Sequence, residues 1–195
     1  MKAVAIVGLG CVGSRTARLL KGKARLLLID FDDVRIENLG CQLYSSKDFK
    51  EKKAIATAKK TKGIAIVKKL TAKNAAATLG KASVIVDCTD DWQARKTIDD
   101  YCKKAGKPWI YAGALRSQAM VSTITNPGNF AKWAKKTPRV SCHVVGISTK
   151  ACEWAAKTQS GEVRALLKGR ELQLDGKIAF YDAETKEKAV IHRRF

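Results

Sequence analysis

The chain has 195 residues, 46% hydrophobic and 29% charged, and a formal net charge of +20 at pH 7. That length holds one compact core, 1–195 as a single domain, and excludes two full domains. No apolar run approaches the roughly 18 residues of a membrane span, so no membrane partner is expected. Glycines at 8, 10 and 13 interrupt the apolar start, which therefore reads as a first buried strand rather than a secretory leader. The six cysteines are irregularly spaced and lack a CxxC pair, pointing to free thiols in a reducing cytoplasm. The positive excess implies an anionic partner, whether a nucleotide, an acidic protein or RNA. Solvated helix faces are the plainer reading of the lysines between Lys47 and Lys73.

In chain order, short apolar runs at Val4 to Val7, Leu26 to Ile29, Ile64 to Val67, Val84 to Val86 and Trp109 to Tyr111 predict strands. Helical patterns fall between them at Ser14 to Leu20, Lys50 to Thr61, Ala72 to Leu79 and Asp91 to Ala105. Such alternation predicts an α/β fold with a doubly wound, mainly parallel sheet, its Rossmann-like half covering 1–112. The second half, 113–195, changes character. Ala119 to Thr125 alternates as a strand, Asn126-Pro127-Gly128-Asn129 is a turn, and Phe130 to Arg139 reads as a connection over the sheet or the site. Ile147 to Leu167 predicts a helix with a break near Ser160-Gly161, and Lys177 to Tyr181 with Ala189 to His192 predicts a closing antiparallel hairpin.

Gly8, Gly10 and Gly13 stand between the first strand and first helix, where missing side chains let the backbone approach a phosphate at a helix N-terminus. Asp30 ends the second strand, placed to accept hydrogen bonds from ribose hydroxyls. Asp87-Cys88-Thr89-Asp90 ends the fourth strand, so Asp90, with Asp91 beside it, should emerge at the same sheet edge. A carboxylate beside a triphosphate is sensible when a magnesium ion lies between them, which favours ATP over NAD. A helix N-cap is the competing role for Thr89 or Asp90.

These motifs identify the chain as similar to the ThiF/MoeB/HesA adenylyltransferases, relatives of ubiquitin-activating enzymes. The resemblance rests on the glycine turn, on Asp30-Phe31-Asp32 leading to Glu37-Asn38-Leu39 and Gln42, on Lys53, and on Asp87 to Asp90. Downstream it extends through Cys142, Gly146, Gln159-Ser160-Gly161-Glu162, Lys168-Gly169 and Lys177 to Asp182. It implies binding of ATP and magnesium, and adenylation of the C-terminal glycine of a ubiquitin-like sulfur carrier ending in Gly-Gly. By position, Asp30 would hold ribose, with Asp32 and Glu37 alongside. Asn38 and Gln42 would border the phosphates, Lys53 would neutralise their charge, and Asp90 would engage magnesium. Lys52 competes with Lys53 for that role, and a solvated helix face competes with both. Cys142 occupies the position where some relatives carry a cysteine that bonds to the carrier, with His143 beside it; a buried, inert cysteine is the alternative.

The resemblance also implies a homodimer. Cys41 stands where many relatives have an arginine, and the chain starts at its first strand, without the N-terminal segment that supplies a second arginine in trans. Arg15 and Arg18 are candidates to compensate, although surface charge is their ordinary reading. Paired CxxC zinc ligands are missing, so no zinc is expected. A non-catalytic nucleotide- or partner-binding member, and a tRNA-directed enzyme resembling the threonylcarbamoyl-adenosine dehydratases, are the alternative functions. A NAD oxidoreductase ranks below them, since hydride transfer has no evident use for Asp90.

Overall fold

The computed structural model describes residues 1–130 and 146–192. Eight strands form one sheet in the order β3-β2-β1-β4-β5-β6-β7-β8. β1 (Ala3–Val7), β2 (Arg25–Ile29), β3 (Ile64–Ile66), β4 (Val84–Asp87) and β5 (Trp109–Leu115) run parallel. β6 (Gln118–Ile124), β7 (Lys177–Asp182) and β8 (Lys188–His192) continue antiparallel. The expected doubly wound sheet with its closing hairpin is present.

Central strands are apolar on both sides because helices cover both faces. Val4, Ile6, Leu26 and Leu28 pack toward α1 (Cys11–Leu20), α2 (Lys53–Thr61) and the final helix α5 (Thr149–Lys168). Ala5, Val7, Leu27 and Ile85 pack with residues of α3 (Ala75–Leu79) and α4 (Trp92–Ala105). From β1 the chain winds outward to β2 and β3, then returns to β4 on the other side. That reversal leaves a crevice at the carboxyl ends of β1 and β4, where ligands bind in open α/β sheets.

Two features organise the second half. Asp99 of α4, itself buried, accepts hydrogen bonds from Gly128 N at 2.8 Å, Phe130 N at 3.0 Å and Trp109 Nε1 at 3.2 Å, so one carboxylate pins the turn after β6. α5 runs unbroken through Ser160-Gly161, correcting the expected break. Glycine costs about 1 kcal/mol in a helix interior, but tertiary bonds hold the backbone on either side. Glu162 accepts from Thr123 Oγ1 at 2.6 Å and from Gln173 N and Leu174 N at 3.1 and 3.2 Å. The fully buried Gln159 donates to Asp87 O and Ile110 O at 3.0 and 3.1 Å. It accepts from Thr16 Oγ1 at 2.9 Å and Cys88 Sγ at 3.2 Å. No described helix is long and apolar enough to cross a membrane.

Candidate active site

The crevice is a cavity of about 390 Å³ at the carboxyl edge, and the candidate residues Gly8, Gly10, Asp30, Asp32, Glu37, Asn38, Gln42, Lys53, Asp90 and Asp91 line it. Their elements explain the convergence. The glycine turn follows β1, the Asp30 to Gln42 loop follows β2, and Asp90 and Asp91 follow β4. Lys53 opens α2, and its backbone N donates to Asp32 O at 2.9 Å.

The three glycines do different things. Gly8 adopts φ +84°, and a Cβ there would lie 2.7 Å from Cys88 O. Gly10 faces open space, with nothing within 4 Å of a built Cβ. Gly13 is not on the cavity wall, contrary to its expected place at the phosphate. A Cβ there would fall 1.9 Å from Gly8 O, so this glycine lets α1 pack against the turn.

Asp30 is buried, and its oxygens accept from Leu9 N at 2.7 Å and Asp32 N at 2.8 Å. Burial pushes its pKa up, while those backbone donors and Lys53 pull it back. A carboxylate has about four acceptor sites, so capacity remains for sugar hydroxyls. Asn38 Oδ1 accepts from Arg35 N at 3.0 Å. Gln42 Oε1 is buried with no hydrogen-bond partner within the described residues. An orphaned buried acceptor costs about 1 to 3 kcal/mol until a donor arrives, so a ligand hydroxyl or amine fits it. With the side-chain amide turned over, its NH2 suits a phosphate.

Between the two lysines the structure distinguishes clearly. Lys53 is buried on the cavity wall, with Nζ 3.2 Å from Asp32 Oδ2. Lys52 turns away, to Asp33 Oδ1 at 2.9 Å and Phe31 O at 3.1 Å. The N-cap of α4 is Asp91, whose Oδ1 accepts from Gln93 N at 2.8 Å, rather than Thr89 or Asp90. Asp90 is exposed at the cavity. One such carboxylate fits magnesium, which uses one or two carboxylates plus phosphate oxygens and waters rather than an all-protein cage. Among the described residues no cluster of three or more His, Cys, Asp or Glu could hold a metal by itself.

Arg15 corrects the surface reading. It is buried, and its guanidinium donates to Cys11 O at 2.9 Å and Cys41 O at 2.8 Å, tying α1 to the Asn38 to Gln42 loop. Tyr44 adds a second tie, donating to Leu9 O at 2.7 Å. Arg18 is exposed. Cys142 and His143 lie outside the described residues.

Sequence reasoning missed Arg95, Lys68 and Lys69, all on the cavity wall. Arg95 Nε lies 3.3 Å from Oδ2 of the fully buried Asp87, and its guanidinium stands 4.8 Å from the Tyr111 ring centre. Burial raises the Asp87 pKa, and Arg95 is the main group opposing that. Lys69 reaches toward Asp91 at 3.9 Å and over the Phe31 ring at 5.6 Å. The spacing of Arg95 four residues after Asp91 on a helix was a usable signal; Lys68 and Lys69 had none beyond following a strand. Cys88 also lines the cavity, but burial and then Asp87 push its thiol well up, which keeps it protonated.

The profile of the ThiF family matches residues 1–194. The sulfur carrier protein ThiS adenylyltransferase of Escherichia coli (strain K12) is 25% identical over 199 residues, covering 94% of this chain and 79% of that protein. Its Bacillus subtilis (strain 168) counterpart is 28% identical over 185 residues, covering 86% of this chain, which spans only 55% of that protein. Among solved structures, E. coli MccB superposes with a TM-score of 0.80 at 18% identity, over 98% of this chain and 62% of that one, a likeness of fold. With the family profile met across nearly its whole length, the chain belongs to the ThiF family.

Proposed function

We propose that this protein is an ATP-dependent adenylyltransferase acting on the C-terminal glycine of a ubiquitin-like sulfur carrier. The observation that carries this reading is one cavity lined together by Gly8, Gly10, Asp30, Asn38, Gln42, Lys53 and Asp90, in a chain whose relatives include ThiS adenylyltransferases. In the proposed reaction a carrier carboxylate oxygen attacks the α-phosphorus of ATP. A new oxygen-phosphorus bond forms, the bond to the bridging oxygen breaks, and pyrophosphate leaves with the electron pair. No protein nucleophile is needed; positioning and cationic stabilisation carry the rate.

In this reading Asp30 takes ribose hydroxyls, Asn38 and Gln42 border the phosphates, and Lys53 stabilises charge on them. Glu37 stands at the rim, and Asp32 holds Lys53 in place. Asp90 would hold magnesium, which when bound neutralises phosphate charge. The reading includes a homodimer and a cytoplasmic setting.

The test is ATP-pyrophosphate exchange stimulated by a carrier ending in Gly-Gly. Exchange supports the proposal; binding of ATP without exchange, across the carriers of the same genome, selects the non-catalytic alternative. The net charge of +20 favours a second reading, a tRNA-directed enzyme. ATP consumption that requires tRNA would select it.

A further inference from the structure

The sheet edge opposite the cleft carries a charge for which adenylation has no use. β1 to β5 all begin there, and the starts of β1, β2, β4 and β5 are tied by Arg25 N to Lys2 O at 3.1 Å, Ser83 N to Ala3 O at 2.8 Å and Ile85 N to Pro108 O at 3.3 Å. The segments leading into those strands, 21–25, 59–63, 80–83 and 103–108, together with 167–170 at the end of α5, contain twelve Lys or Arg and no Asp or Glu. Lys2 donates to Leu167 O at 3.2 Å, which brings the end of α5 to the same edge. Lys2, Lys23, Arg164 and Lys168 surround one shallow hollow of about 350 Å³.

Helix capping explains only part of this. Five of the described helices end at this edge, each worth about half a negative charge, so roughly 2.5 of the twelve are balanced. Lys59 and Lys60 are paired with Glu51 and Asp48. Asp99, held by Trp109 at the start of β5, Asp175, held by Thr125 just past β6, and Glu171, next to Arg170, belong to the same edge, so a surplus on the order of +4 remains. Lys2, Lys23, Lys81 and Lys168 are exposed and form no ion pair among the described residues.

The composition of the edge selects the partner. The exposed large aromatics among the described residues, Phe31 and Phe49, lie on the segment after β2 at the other side. Among the described residues the amino edge therefore presents no exposed aromatic platform for stacking bases. It is rich in lysine, a point charge suited to phosphate rather than to base edges. Five strands at about 4.8 Å spacing make it about 19 Å wide. Duplex nucleic acid carries one charge per about 1.7 Å of axis, so on the order of five phosphates on the near side face that width.

We propose that the amino edge of the parallel sheet, centred on Lys2, Lys23, Lys81 and Lys168, docks the phosphate backbone of a double-stranded nucleic acid without reading its sequence. The duplex is a tether rather than a reactant, because the cleft opens at the opposite edge. The proposal does not rest on adenylation.

The full chain is titrated by fluorescence anisotropy with an RNA duplex and a DNA duplex of about 20 base pairs, from about 50 to 250 mM KCl, with poly-glutamate as competitor. Expected is a steep fall in affinity with salt, a log-log slope of about −4 to −5. A triple variant, Lys23→Glu, Lys81→Glu, Lys168→Glu, should lose about 30-fold or more in affinity. It should flatten the slope by about 2 to 3, roughly 0.9 per lost phosphate contact. A control of equal net charge, Lys47→Glu, Lys73→Glu, Lys188→Glu, should lose less than about threefold. The milder set Lys23→Gln, Lys81→Gln, Lys168→Gln guards against misfolding and should shift the slope in the same direction. The duplex that binds more tightly identifies the source, and equal binding supports a pure backbone contact. Absence of binding, equal loss in the control triple, or poly-glutamate competing as well per charge overturns the proposal.

Discussion

The two edges of the parallel sheet handle charge in opposite ways. At the carboxyl edge, segments 30–37 and 87–91 hold seven of the chain's 18 acidic residues. Several are locked to partners: Asp87 to Arg95, Asp32 to Lys53, Asp30 to two backbone amides. At the amino edge lysine and arginine outnumber the acidic residues, and most of these cations are exposed and unpaired among the described residues. The difference teaches where each kind of charge is useful. Buried, mutually constrained charges fix atoms in place for chemistry, while exposed like charges fix nothing and act only through their summed field.

Replacements that strand a buried charge should therefore have the largest effects. Arg95→Leu leaves the Asp87 carboxylate buried without its cation and should destabilise the fold by about 3 to 5 kcal/mol, read as a shift in urea midpoint. A loss below about 1 kcal/mol would mean that Thr89 alone, which donates to Asp87 Oδ1 through N at 2.9 Å and Oγ1 at 2.7 Å, satisfies that carboxylate. Lys53→Ala should lower pyrophosphate exchange by about 100-fold to 1000-fold, equivalent to about 2.7 to 4 kcal/mol. A change within threefold would remove Lys53 from the proposed machinery.

Steric effects come next. Gly13→Ala forces a Cβ into the space of Gly8 O and should cost about 1 to 3 kcal/mol. Gly10→Ala meets open space and should cost less than about 1 kcal/mol. Equal melting temperatures for the two variants would contradict this assignment.

The pH dependence separates two kinds of carboxylate. Burial raises the pKa of Asp48, but Lys60 and Ser45 outweigh it, and the net shift is downward. Asp48 therefore contributes stability above the unfolded value of about 3.9, lost as pH falls through its folded value. Asp30 and Asp87 are shifted upward, by burial above all. Their contribution is complete below about pH 3.9 and declines as pH rises through their folded values. Urea midpoints of Asp48→Asn across about pH 2 to 6 should lose part of the acid-side slope of the native chain. An unchanged slope would show that Asp48 is not linked to acid unfolding. The smallest effect belongs to the amino edge: Lys81→Gln should stay within about 0.5 kcal/mol of the native chain, measured by the same denaturation.

The strand and helix order was legible because apolar runs buried on both faces, separated by amphipathic helices, have few other solutions. The cavity was legible for the same reason, since β1, β2 and β4 must end together. What was hidden depended on contacts across the chain. The break expected at Ser160-Gly161 fails because Gln159 and Glu162 are held by groups outside the helix, from 11 to 143 residues away. Arg15 reads as a surface residue from its own neighbours, and only the Cys41 carbonyl, brought over by the loop after β2, explains its burial. Gly13 shares a motif with Gly8 and Gly10, but its neighbour is backbone, which no spacing rule distinguishes.

Gln159 has a consequence for how this chain can change over generations. Its carboxamide meets a threonine, a cysteine thiol and two strand carbonyls at once. Glutamate would remove both donors, leucine all four bonds, and asparagine is too short to reach them from the same helix. Each of these three replacements thus leaves at least one buried group orphaned at the base of the Asp87 to Asp90 segment. Gln159 therefore constrains the link between the two halves of the chain more tightly than Thr16 or Cys88, where a serine hydroxyl could still donate to it.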